Sequence, residues 1–156
     1  MLHKQKEVIL SLLKINASDE NGRTRYWFLY EDFLDPTDAF TDFSCEALDG
    51  KREYIALIEN LLAVDSNAKI FVEVYGIDDD GDANISIYAD TLFIFSKQSL
   101  SEIKEVFNKS MDIFPSDIGE IEIPLQQIFV IGDNGDLTPA KRFFNEGYYT
   151  YYCWWD

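Results

Sequence analysis

The chain has 156 residues, a length that favours one domain with a sizeable core, and 29 acids against 13 bases give it a net charge of −16. Charge of this sign repels nucleic acid and anionic membranes, and no stretch approaches the roughly 18 unbroken apolar residues of a membrane helix. Hydrophobic residues make up 47%, with 12 Phe, 9 Tyr and 3 Trp, too apolar and too aromatic for a disordered acidic chain.

The first residues, "MLHKQKEVILSLLKINASDENG", set lysines before an apolar run. Glu7 interrupts that run and no small-residue cleavage site follows, so the segment reads as structure rather than a signal peptide, and the protein as cytoplasmic. Residues 5–16 are apolar by either period. With the Asn21-Gly22 turn signal and the strand-like "RYWFLYEDF" beyond it, a hairpin is the simpler reading, and an N-terminal helix is the competitor. Residues 34–50 read as an irregular acidic connection. A helix is expected over 51–64, where Tyr54, Ile55, Leu57, Ile58, Leu61 and Leu62 recur at spacings of three and four.

"KIFVEVYGI" and "NISIYADTLFIF" predict a pair of strands joined by "DDDGDA", in which Gly81 takes positive φ cheaply. "SKQSLSEIKEVFNKSM" predicts a second helix: Ser99 with Glu102 matches a capping box, and Ile103, Val106, Phe107 and Met111 line its core face. "IFPSDIGEIEIP" reads as a loop with a short extended segment. "QQIFVIGDNGDLTPA" predicts a hairpin turning at 133–136. In the closing segment, residues 148–156, six of nine residues are aromatic. Alternation sends Tyr149, Tyr151 and Cys153 to one side and Tyr148, Tyr152 and Trp154 to the other. Such a strand is either largely core or leaves part of its aromatic set exposed, and burial of one face satisfies both. The expected fold is α+β over residues 1–156: an antiparallel sheet of hairpins with two amphipathic helices packed on one face.

No catalytic residue is nominated, and no enzyme is expected. His3 is the only histidine, which removes Ser-His-Asp, Cys-His and histidine-based metal chemistry, and no GxSxG, Walker A or GxGxxG motif occurs. "DDDGD" is not an EF-hand loop: with Gly81 at position 6, Gly76 falls at position 1 and Ile87 at position 12. It reads as a polar turn, with neither metal nor cofactor. Cys45 and Cys153 lack CxxC spacing and read as reduced thiols.

The acids cluster. Residues 26–50, 70–96 and 110–140 contain no base and hold 19 of the 29 acids. They fall mostly in turns and connections. Gathered on a face, they would imitate a phosphate backbone and steer a basic protein into contact. With "YEDFLDPTDAFTDF", "GIDDDGDAN" and "YYTYYCWWD", the chain resembles the bacterial immunity proteins of contact-dependent inhibition and other polymorphic toxin systems in size, charge and element order. The resemblance implies a protein that binds and neutralises one cognate toxin domain, often a nuclease. The residues proposed to meet such a basic partner are Glu31, Asp32 and Asp35, the turn acids Asp78, Asp79, Asp80 and Asp82, and the aromatics Tyr152, Trp154 and Trp155. The alternative is an interaction module that self-associates, as a homodimer for example, through its aromatic C-terminal segment.

Overall fold

The structure is a computed structural model, which describes residues 1–16, 24–44, 48–79, 85–109, 113–122 and 124–156. In chain order it contains α1 (His3–Asn16), β1 (Arg25–Leu29), the single turn α2 (Tyr30–Phe33), β2 (Thr41–Phe43), α3 (Leu48–Val64), β3 (Lys69–Asp79), β4 (Ile85–Ser96), α4 (Leu100–Asn108), β5 (Asp117–Glu120), β6 (Ile128–Ile131), β7 (Leu137–Pro139) and β8 (Tyr149–Trp154). Among the described residues these strands form one sheet in the order β5-β8-β4-β3-β1-β6-β7, with β2 beside β4. Pairing is antiparallel except between β1 and β6 and between β2 and β4. This is an α+β fold.

The period of two along each strand divides the core into two layers. Phe28, Val72, Leu92 and Cys153 face one side, where α1, α3 and α4 bring Ile9, Leu57 and Ile103 against them. Trp27, Phe71, Phe93 and Val130 face the other side, which the short 3-10 turns Leu125–Gln127 and Ala140–Phe143 cover in part. Trp27 stacks on Phe93 with ring centroids 4.5 Å apart. The central strands are thus buried on both faces.

Residues 5–16 form a helix, which corrects the hairpin reading and adds a third helix to the expected two on that face. Ile9 is fully buried, and Val8, Leu12 and Leu13 pack beside it at helical spacing. The helix is anchored by Gln5, whose Nε2 donates to Asp32 Oδ2 at 3.0 Å and to the Ile131 carbonyl at 3.3 Å. It also rests on the β6–β7 turn. Gly135 there has φ +78°, and a Cβ at that position would lie 2.7 Å from Val8 Cγ2, so glycine is required on both counts.

The acidic connection also differs from expectation, because it contains β2. Lys51, fully buried on α3, donates to the Asp38 carbonyl at 2.6 Å and to Thr41 Oγ1 at 2.7 Å. Thr41 Oγ1 donates in turn to the Phe33 carbonyl at 2.7 Å. Burial lowers the pKa of the Lys51 ammonium, against the pull of Asp38, Asp42 and Asp35. The helix at 51–64 begins three residues early, at Leu48. The α4 capping box is present as read: the Ser99 N–H donates to Glu102 Oε2 at 2.8 Å, and the Glu102 N–H donates to Ser99 Oγ at 3.3 Å. Both hairpins pair as expected, although residues 80–84 of the first turn lie outside the described residues. Cys153 is a buried free thiol, and Cys45 lies outside the described residues.

Candidate protein-interaction surface

The acids nominated from the sequence fall in separate places. Glu31 and Asp32 sit on α2 beside the first turn of α1, as the Gln5–Asp32 bond shows. Burial raises the Asp32 carboxyl above its ordinary pKa, with the Asp133 charge adding to the effect and Gln5 opposing it. Asp35 accepts from the Thr37 N–H at 2.9 Å and from the Thr37 hydroxyl at 2.7 Å, which lowers its pKa. Nearby, Asp38 takes the N-terminal ammonium at 2.8 Å and Lys6 at 3.3 Å. Burial pushes the Asp38 carboxyl up, but these charges and the Phe40 N–H outweigh it, and its pKa is lowered.

Asp78 lies near the other end of α1. It is exposed and accepts from the Tyr88 hydroxyl at 3.2 Å. The last turn of α1, at Leu13 and Lys14, lines a cavity with Tyr75, Gly76 and Ile77. From Gln5 to Lys14 the helix axis runs roughly 14 Å, so the two groups of acids lie toward opposite ends of α1. The Asp79 side chain, Asp80 and Asp82 lie outside the described residues.

The aromatic segment divides between the two sides of the sheet. Both edges of β8 are occupied, by β4 and by β5. Tyr151 and Cys153 enter the helical layer; burial, with Glu120 nearby, pushes the Tyr151 hydroxyl up to about 12. Trp155 enters that layer too. It is 6% exposed, packs edge-on against Tyr54, and donates through Nε1 to the Ile113 carbonyl at 2.9 Å. This corrects the expectation that Trp155 stands at the surface. Tyr152 and Trp154 point to the opposite side, and Trp154 is 36% exposed.

On that side the strand registers align one row across five strands: Trp27 opposite Glu73, Glu73 opposite Thr91, Thr91 opposite Trp154, and Trp154 opposite Asp117. An aromatic donor fixes each carboxylate in or beside the row. Trp27 Nε1 donates to Glu73 Oε2 at 2.7 Å, Trp154 Nε1 to Asp90 Oδ2 at 3.0 Å, and the Tyr152 hydroxyl to Asp117 Oδ2 at 2.7 Å. That last bond raises the Tyr152 pKa, because its loss on ionisation disfavours the phenolate. Arg25 forms a two-point ion pair with Glu73, both contacts at 2.7 Å, and its guanidinium lies 5.1 Å from the centre of the Phe93 ring. Between Thr91, Asp117, Tyr152 and Trp154 opens a cleft of about 240 Å3.

No family model matches this chain, and neither a curated protein nor a solved structure matches it. The site is therefore read from its chemistry. Among the described residues no group of three or more His, Cys, Asp or Glu side chains is placed to hold a metal ion, and no helix is long and apolar enough to cross a membrane. The row offers fixed carboxylates beside partly exposed rings, an arrangement that recognises cationic side chains. Sequence reasoning named Tyr152 and Trp154 but missed Glu73, Asp90 and Asp117 as their companions. Asp117 belongs to a base-free stretch, and Glu73 breaks an apolar alternation. Only the register places the three in or beside one row.

Proposed function

We propose that this chain is an acidic binding protein that neutralises a basic partner in the cytoplasm, acting as an immunity protein that occludes the cationic cleft of a cognate toxin nuclease. The observation that carries this reading is the aligned row of Trp27, Glu73, Thr91, Trp154 and Asp117, with each nearby carboxylate held by an aromatic donor. Carboxylates that are already oriented lose little freedom on meeting a cation, and rings with few torsions bury area cheaply. Exposed Glu31, Asp78, Asp117, Glu120 and Glu122 add a long-range field that speeds encounter with a basic protein. Inhibition by occlusion needs no reacting group in the inhibitor.

The test uses the basic toxin domain encoded beside this chain's own gene. Co-production of the chain should restore growth to cells making that domain. Association of the purified pair should slow steeply with added salt. Asp90→Lys with Asp117→Lys should slow association at least tenfold. Growth arrest that persists with the folded chain present, or association indifferent to salt, sinks the reading.

A further inference from the structure

The cleft beside Trp154 does not end at Asp117. Ile121 forms its far wall, and the same residue lines a second cleft of about 380 Å3. Glu120, Glu122, Phe144 and Tyr148 line that neighbour. The two clefts thus adjoin at Ile121 beside β8, with Asp117 lining the first half, and Glu122 and, from the strand edge, Glu120 lining the second. Arg25 is the only base among the residues lining either half, and its guanidinium is already committed to Glu73.

We infer that this groove binds an extended segment of the basic partner, one Lys or Arg side chain entering each half. The inference rests on the proposed function and names the contact through which it acts. Charge complementarity selects the occupant: three carboxylates line a trough whose floor is aromatic, a poor setting for an anion and a good one for an alkyl stem ending in a cation. The stem lies along ring faces while its charged head reaches a carboxylate at the rim. Spacing limits the segment further. From Trp154 to Thr150, residues that line opposite halves, the strand advances roughly 13 Å. Side chains four residues apart on one face of an extended partner match that distance.

The probe is the peptide acetyl-Arg-Ser-Thr-Ser-Arg-amide, with acetyl-Glu-Ser-Thr-Ser-Glu-amide and a single-arginine peptide as controls. Binding is followed at the Trp154 indole N–H by NMR and by calorimetry on the full chain. The two-arginine peptide should bind saturably. The single-arginine peptide should bind at least fivefold more weakly, and the glutamate peptide not at all. Asp117→Asn with Glu120→Gln, both exposed exchanges that retain hydrogen-bonding capacity, should weaken the two-arginine peptide at least tenfold. Circular dichroism checks that the variants fold. Absence of saturable binding, equal binding of all three peptides, or binding untouched by the exchanges overturns the groove. If the toxin domain still binds when the peptide does not, the groove alone is wrong and the contact lies on another face; if neither binds, the functional reading goes with it.

Discussion

The ring of Tyr152 lies over Gly119 while its hydroxyl donates to Asp117, two residues back on the same strand as that glycine. A Cβ on Gly119 would stand 3.0 Å from Tyr152 Cε1 and 3.1 Å from its hydroxyl oxygen. Gly119→Ala should tilt the ring by a few tenths of an ångström and lengthen the bond to Asp117. The expected cost in stability is small, about 1 kcal/mol or less, because the far end of a side chain can give way. The expected loss is in binding. The Tyr152 titration, followed by NMR, should move down toward the ordinary phenol value.

Glu73 accepts from both Arg25 and Trp27, and Trp27 is fully buried. Glu73→Gln keeps the shape, and with its amide oxygen in the Oε2 position Trp27 keeps an acceptor. The amide N–H₂ then faces Arg25 Nη2 and the two-point ion pair is lost, so urea denaturation should report a loss of about 1 kcal/mol. Stability unchanged within a few tenths of a kcal/mol would contradict this account.

Asp65 and Asp32 should answer acid in opposite directions. Burial pushes Asp65 up, but Ser96 Oγ at 2.7 Å and the Lys97 and Asn67 N–H groups, each at 3.2 Å, outweigh it, and its pKa is lowered. A lowered carboxyl gives stability that is present above its unfolded pKa of about 4 and lost as pH falls through the folded value. Asp65→Asn should therefore lower the urea midpoint at pH 7 and flatten the acid limb. Asp32 is raised, chiefly by burial. Its charged form disfavours folding, and that penalty sets in as pH rises from about 4 through the folded value. Asp32→Asn keeps an acceptor for Gln5 and should raise the midpoint at pH 7, with the gain gone at pH 3.

Lys51 clamps the 34–41 segment through two backbone carbonyls and Thr41. Lys51→Met strands the Asp38 carbonyl while removing a buried ammonium, so the two effects partly offset. A net loss of about 1–3 kcal/mol is expected. Hydrogen exchange should quicken in residues 34–43 before the sheet loosens.

Local chemistry was legible wherever it was self-contained. Ser99 and Glu102 announce their cap three residues apart, and the hairpins of β3–β4 and β6–β7 carry their turn residues between alternating strands. The N-terminal segment was ambiguous because Val8 to Leu13 is nearly continuous in apolar side chains and satisfies either period. Packing on Gly135 and β6 decides it, through partners far along the chain. β2 is three residues long and exists because it lies against Ile87–Ala89 and Lys51 holds its entry. Parallel pairing of β1 with β6 leaves no local trace either. Trp155 had a readable signal: one more step of the alternation that buries Tyr151 and Cys153 carries it inward. The acids of the row were the least legible. Glu73, Asp90 and Asp117 are spread over 45 positions and come into or beside one row only through strand register.

Among the described residues β5 joins the sheet through β8 alone, and β8 lies between two strands that precede it in sequence. A chain in which β1, β3 and β4 have paired but the last strand has not yet slotted in has no trough, no seat for Asp117, and an uncovered edge on β4. Completion of the sheet and formation of the trough are thus one event: the strand that closes the edge of β4 is also the one on which Asp117 is seated.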